Sequence, residues 1–433
     1  MPARPATINQ RGRKALDAFL QGTVARRETP AIFLLATNAE GTIYENQVGE
    51  RVFGDAQAGQ VQPDTILELF SQTKLITAIA VLQLVDRGLV SLDSEADVEK
   101  YLPEVQESEL LTGYGEDGQA TFVRPKNRVT LRMLLAHTSG YTYPFLPSAL
   151  SPYFKLHPAD SDPLATGSSI TTLCKPLAHE PGTSWVYGIG SDLAGKLVER
   201  VSGLRLDAYF QKHIFDPLGL TSFTFFPTEK VKKNKMAVCV RSSGTKVRTL
   251  RGGFGGSRPN DVSTVPTGLL SGGAGLYGTQ REFLAILRAI LQSDPSSPHY
   301  AELPLLSPQS YKELFTGSVA TEAGRQAIAE MIAPEGYFDP PPKAENVDHS
   351  VGFLINLEDF SGRRKKGSGT WYGAARTHYW IDPKSGIAGI CATQMFAFAP
   401  DLWYDIYVEY EKTLYAQLEQ DRQEGTGLRE SKL

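Results

Sequence analysis

A serine and a lysine three positions apart, Ser71 and Lys74, carry the sharpest chemical signal in the chain. They head the stretch Ser71-Gln72-Thr73-Lys74, which runs into LITAIAVLQLVDR and stops at Gly88. Residues three apart share a helix face. A hydroxyl and an amine are thus held together at a helix start, where the dipole favours developing negative charge. Burial disfavours the charged form of a lysine and makes it a usable proton acceptor near neutral pH. Beside a serine, that chemistry is an activated nucleophile for acyl transfer. The stretch has a blander reading, because Ser-x-x-Lys arises by chance and a serine near a helix start is often a cap. Its setting decides between them.

The elements around it come in a definite order. The run from Lys74 to Arg87 is apolar almost all round, the pattern of a buried helix, with Gly88 where a left-handed residue closes it. Upstream, Leu16, Phe19, Leu20 and Val24 have the spacing of an amphipathic helix over residues 9–27, and AIFLLATNAEGTIYENQVGE reads as two strands around a turn at Asn38–Gly41. Downstream, 129–135 is a short helix leading into His137-Thr138-Ser139-Gly140. A histidine there reads as a hydrogen-bonded structural residue, not a triad member. Residues 141–170, rich in Pro, Tyr, Phe and Leu, read as an ordered loop or lid over a pocket. A turn and extended piece at Pro181–Gly188 feed a helix from Ser191 to Ser202, and a further helix ends at Pro217–Leu220. Residues 227–260 read as a mobile loop. Its Gly252-Gly253 and Gly255-Gly256 pairs lack the strand and Gly-Lys-Ser/Thr context of a phosphate cradle. Ser271–Leu276 is a turn before a helix at Gln280–Leu291, and 332–350 is loop. From Val351 three strands form an antiparallel meander, VGFLINLED, GTWYGAARTHYWIDP and GIAGICATQMF, followed by a helix from Trp403 to Leu418.

This order predicts an α/β protein whose antiparallel sheet is assembled from both chain ends, flanked by N- and C-terminal helices. Residues 1–70 and 260–425 supply the sheet portion, and 71–259 a mainly helical portion with active-site lid loops. Residues 426–433 make a mobile tail. The bulk composition excludes several classes. In 433 residues, 41% hydrophobic and 21% charged content describe a globular chain, and a net charge of -4 offers no footprint for nucleic acid. No apolar run is long enough to span a bilayer. The 3 cysteines lack metal or disulfide spacing. The last residues, Ser431-Lys432-Leu433, match the peroxisomal address, which implies an import receptor as partner and a peroxisomal location, or otherwise a cytoplasmic one.

Taken together, Ser71-x-x-Lys74 with TAIAVLQLVDRGLVSLD, then LRMLLAHTSG, then PGTSWVYG and the late strands resemble the serine β-lactamase-like superfamily over roughly residues 9–415. That superfamily holds class C β-lactamases, D-peptidases and penicillin-binding proteins. The likeness is greatest to its esterase branch and to fungal acyltransferases of the lovastatin-pathway type. It implies a β-lactamase/transpeptidase-like fold with Ser71 as nucleophile, Lys74 as its lysine and Tyr187 as the tyrosine of the second motif. Trp371-Tyr372-Gly373 falls where β-lactamases carry Lys-Thr-Gly. Ala374 follows where the second oxyanion-hole amide lies, the first being that of Ser71. Two departures matter: Ile189 replaces the asparagine of the second motif, and Trp371 the lysine of the third. Neither supplies a carboxamide or a charge, so a β-lactam's carboxylate has no partner there.

The resemblance implies esterase or acyltransferase chemistry through acyl-Ser71, with an ester, thioester or acyl-CoA donor, an alcohol or water acceptor, and no cofactor or metal. Tyr143, Phe145, Trp185, Ile189, Trp371, Tyr372 and Gly373 are candidate substrate contacts, and core packing is the other reading of the aromatics. A D-stereospecific peptidase, a weak β-lactamase and an inactive scaffold are the alternatives.

Overall fold

Strands from opposite ends of the chain close into one sheet. The computed structural model describes residues 6–157, 170–174, 176–243, 246–250, 269–397 and 401–430. After the helix Gln10–Ala25 come the hairpin β1 (Ala31–Asn38) and β2 (Thr42–Gly49), then short β3 (Ile66–Glu68). The middle of the chain holds the hairpin β4 (Leu110–Tyr114) and β5 (Ala120–Val123), then β6 (Cys239–Ser243), β7 (Lys246–Thr249) and β8 (Tyr277–Thr279). The late strands are β9 (Val347–His349), β10 (Leu354–Asn356), β11 (Gly369–Gly373), β12 (Thr377–Asp382), β13 (Ile387–Ala392) and β14 (Met395–Ala397). The main sheet runs β2-β1-β13-β12-β11-β10-β9, antiparallel at every pairing.

Both faces of this sheet are covered, which is why all eight residues of β1 are buried. Neighbouring residues of a strand point to opposite faces, and β12 shows what lies on each. Tyr379 meets Phe283 of the helix Gln280–Leu291 at 5.2 Å, while Trp380 meets Tyr407 and Tyr410 of the C-terminal helix at 5.9 and 5.7 Å. The C-terminal helix is also clamped electrostatically. Glu411 binds Arg363 at 2.7 Å and Arg364 at 3.3 Å, and all three side chains are buried. Removing one member of such a cluster leaves an uncompensated buried charge.

Several expectations need correcting. GTWYGAARTHYWIDP is two strands, β11 and β12, because the chain reverses through Ala374–Arg376 with Arg376 at φ 68°. The portion 71–259 contains the hairpins β4–β5 and β6–β7 besides its helices. The described residues of this stretch, 227–243 and 246–250, hold a helix at Glu229–Asn234 before β6 and β7, while the glycine-rich run Arg251–Gly256 lies outside the described residues. The stretch 332–350 ends in β9, the sheet's edge strand. The last helix, Trp403–Glu430, continues through the polar segment read as tail, since Glu, Gln and Arg are good helix formers and no proline interrupts them. Ser431, Lys432 and Leu433 lie outside the described residues. Among the described residues no helix is long and apolar enough to cross a membrane.

Candidate active site

Short β3 delivers the chain to Ser71 through a strained step. Phe70 has φ 47°, a left-handed backbone that a bulky residue adopts only when its surroundings hold it there. The fit is visible: the Phe70 ring lies edge-on to Phe396 of β14 at 5.6 Å. A single 3-10 turn, Phe70–Gln72, then enters the helix Thr73–Asp86, which is buried from Thr73 to Leu82. Gln72 exchanges two hydrogen bonds with Gln280, at 3.0 and 3.1 Å, and so ties this turn to the neighbouring helix. Gly88 closes the helix with φ 66°.

Lys74, one turn after Ser71, is buried, and its three N–H groups are all engaged. Nζ donates to Ser71 Oγ at 3.2 Å, to the Tyr143 hydroxyl at 2.9 Å and to the Gly273 carbonyl at 2.9 Å. The Tyr187 hydroxyl donates to Ser71 Oγ at 2.7 Å and accepts from Trp371 Nε1 at 3.3 Å. Nζ also sits 4.7 Å from the Tyr187 ring centroid, a cation–π contact. Five separated stretches of sequence thus meet at one oxygen or its immediate partners. Such a centre can take a proton from a serine as it attacks a carbonyl, and return it to a leaving group.

A neutral aromatic wall stands behind this centre. The His137 ring lies 4.8 Å from Tyr187 and 5.1 Å from His349, and His349 lies 5.4 Å from Trp371. Burial pushes His349 down to about 4, and burial above all, with the Lys74 charge adding to it, pushes His137 well below its usual range. His137 Nδ1 accepts the Gly188 N–H at 3.4 Å and does not reach Ser71. Its role is structural, as its position before Ser-Gly suggests.

The other sequence-nominated residues fall in several places. Tyr143 is buried, bonded to Lys74, and its phenol is pushed well above its ordinary range by burial, with Asp192 adding to the shift. It belongs to the hydrogen-bonded centre and is not a free pocket wall. Phe145 stacks on it at 5.1 Å and is 61% exposed. Trp185 and Ile189 are both buried, Trp185 stacked behind Tyr187 at 6.4 Å and Ile189 at the position just before the helix Gly190–Ser202. Tyr372 turns away from Ser71: its hydroxyl bonds Glu335 and its ring stacks on His378 at 4.4 Å. Gly373 is where β11 passes the nucleophile turn. A Cβ there would lie 2.3 Å from the Leu69 carbonyl oxygen. Ala374, exposed at the end of β11, follows directly.

Two members of the centre were not nominated from the sequence, Gly273 and Asp192. An acidic residue in a helix's first turn is what an ordinary helix start looks like, so nothing local marked Asp192. Among the described residues no group of three or more His, Cys, Asp or Glu is placed to hold a metal ion.

The beta-lactamase family model matches residues 16–409. The chain belongs to the beta-lactamase family. Lovastatin esterase of Penicillium rubens is 32% identical over 92% of this chain and 98% of its own length. Monacolin J acid methylbutanoyltransferase of Aspergillus terreus is 30% identical over 94% and 96%. Among solved structures, unliganded simvastatin synthase from Aspergillus terreus superposes with a TM-score of 0.80 at 27% identity, covering 95% of this chain and all of that one. The fold is the β-lactamase/transpeptidase-like one, and the chain is an enzyme of the family's esterase and acyltransferase branch.

Proposed function

We propose that this β-lactamase-family enzyme moves an acyl group through an ester on Ser71. The observation that carries this is the convergence of Lys74 Nζ and the Tyr187 hydroxyl on Ser71 Oγ, at 3.2 and 2.7 Å. Ser71 Oγ bonds to the carbonyl carbon of the donor, and its proton passes to the Lys74–Tyr187 unit in the form in which one of the pair, the Lys74 amine or the Tyr187 phenolate, is deprotonated. The oxyanion is received by the amides of Ser71 and Ala374, a type of contact worth ~10²–10³ in rate per donor. As the bond to the leaving oxygen or sulfur breaks, the same unit returns the proton to it. An acceptor hydroxyl then repeats the steps in reverse order, and Ser71 recovers its proton as its ester bond breaks.

The acceptor we favour is an alcohol on an apolar metabolite, with water as a competitor. By likeness to the relatives named for lovastatin hydrolysis and methylbutanoyl transfer, the acyl group is short and the partner molecule small. β-Lactam hydrolysis and D-peptide cleavage are disfavoured on a specific ground. Trp371 stands where the family's lysine grips a carboxylate, and its indole N–H is already engaged by Tyr187. The test is partitioning: p-nitrophenyl butyrate turnover is followed while small alcohols are added. A faster release of p-nitrophenol with formation of the new ester supports transfer. Free butyrate alone, at every alcohol concentration, assigns the enzyme as a hydrolase.

We also propose peroxisomal import, supported by the tripeptide Ser431-Lys432-Leu433 alone. A fluorescent protein fused ahead of the chain is expected to label peroxisomes and to disperse when the tripeptide is deleted. Diffuse signal from the intact fusion would overturn it.

A further inference from the structure

Behind Lys74 lies a carboxylate that the mechanism above does not use. Asp192 occupies the first turn of the helix Gly190–Ser202 and is 1% exposed. Its Oδ1 accepts from the Ser271 hydroxyl at 2.6 Å and from the Gly273 N–H at 3.1 Å. Its Oδ2 is enclosed and has no hydrogen-bond partner. An enclosed carboxylate oxygen with no donor is costly, so its retention calls for a reason.

Gly273 supplies one. The residue whose N–H is held by Asp192 offers its carbonyl to Lys74 Nζ. A Cβ on Gly273 would lie 2.5 Å from Asp192 Oδ2 and 3.1 Å from the Tyr143 hydroxyl, so the carboxylate, the turn and the phenol crowd one point. The turn is anchored on its other side by Thr77, whose hydroxyl donates to the Gly272 carbonyl at 2.6 Å. The groups around Asp192 leave Lys74 as its charged counterpart. Burial raises its pKa, and the Lys74 charge and the hydrogen bonds to the carboxylate oppose that rise. The phenol of Tyr143 is neutral, and the two histidines near Lys74 are neutral by burial.

We propose that Asp192 is a positioning residue for Lys74: it fixes the Ser271–Gly273 turn whose carbonyl aims Nζ at Ser71 Oγ, and its carboxylate balances the lysine's charge. The inference rests on the reading of Lys74 as part of the proton-transfer unit. The competing account is that Asp192 merely anchors a turn. The two differ in what removal of the charge alone does.

Asp192→Asn keeps an oxygen for Ser271 and Gly273 and removes the charge. The prediction is a folded protein whose kcat for p-nitrophenyl butyrate falls by roughly 10–100-fold, a fraction of what general acid–base catalysis supplies. KM stays within about threefold, since Asp192 is only 1% exposed and so is not open to contact with substrate. The limb of kcat/KM against pH that reports the Lys74–Tyr187–Ser71 unit moves to lower pH, because a buried cation without its anion gives up its proton more readily. A turn anchor would change thermal stability and leave the pH profile in place. A folded Asp192→Asn variant with native kcat and pH profile overturns the proposal. If that variant does not fold, Ser271→Ala removes one of the carboxylate's two donors. Lowered kcat at constant KM then supports the proposal, and native kcat overturns it. Ser71→Ala, run in parallel, separates the two readings: it abolishes turnover if Ser71 is the nucleophile, whatever Asp192 does.

Discussion

Substituting Gly373 by alanine tests the oxyanion side of the site in a way that can be worked out from distances. The new Cβ would lie 2.3 Å from the Leu69 carbonyl oxygen and 2.4 Å from Thr377 Oγ1. Carbon and oxygen settle at about 3.3 Å or more, so β11 and the nucleophile turn must separate by about 1 Å. Gly373 has no left-handed backbone angle, so space and not conformational strain is what alanine offends. Leu69 precedes Ser71 by two residues and Ala374 follows Gly373, so the separation widens the gap between the two oxyanion amides. A misplacement of about 1 Å costs on the order of 10²-fold in rate, or ~2.7 kcal/mol of transition-state stabilisation. Overpacking itself costs about 1–3 kcal/mol of stability. The assay is steady-state turnover of p-nitrophenyl butyrate below the variant's thermal midpoint, with circular dichroism as the control for folding. The expected result is kcat reduced about a hundredfold with KM little changed, the signature of an interaction made only in the transition state. A folded Gly373→Ala enzyme with kcat within about threefold of native would refute the placement of the oxyanion hole between Leu69–Ser71 and β11.

Two other perturbations follow from the geometry. Tyr187→Phe keeps the ring against His137 and Trp371 and deletes the hydroxyl on Ser71 Oγ, so stability changes little while kcat falls ~10²–10⁴-fold. Stopped-flow labelling by a fluorophosphonate, with its rate compared between native and variant, checks this. His349 sets a pH dependence. Unfolded, it takes a proton near its usual pKa of about 6.5, and folded it resists until about 4. Between those values the unfolded chain binds more protons, so stability is lost as pH falls through that window, by up to about 3 kcal/mol for this group. Urea unfolding at several pH values checks the slope, and His349→Gln is expected to flatten it.

How much of this was legible in the sequence depended on how local each signal was. The Ser71–Lys74 pair sits within one helical turn and needed only spacing to be seen. The sheet from both chain ends followed from apolar runs and turn residues, because β1 and the late strands are covered on both faces. The split between β11 and β12 leaves little mark in the sequence, since the reversal uses Ala374–Arg376, with no proline, asparagine or aspartate, between two runs of strand formers. Asp192 and Gly273 were invisible for a different reason. Their meaning lies in contacts with Lys74 across a wide sequence separation, and each has a routine local reading as a helix-start acid or a turn glycine. Tyr143 and Tyr372 were nominated as substrate contacts from aromatic content and from motif position. Only packing could show that one bonds Lys74 and the other faces Glu335.

The measurement that bears most directly on the account is the intact mass of the protein after brief exposure to a short-chain acyl thioester, with peptide mapping and with free thiol assayed in the same samples. Native protein is expected to gain one acyl group on the peptide carrying Ser71, and an added alcohol to discharge it as an ester. Ser71→Ala is expected to show neither the adduct nor the thiol release. An adduct on another residue, or thiol release by Ser71→Ala at the native rate, would contradict a mechanism through acyl-Ser71.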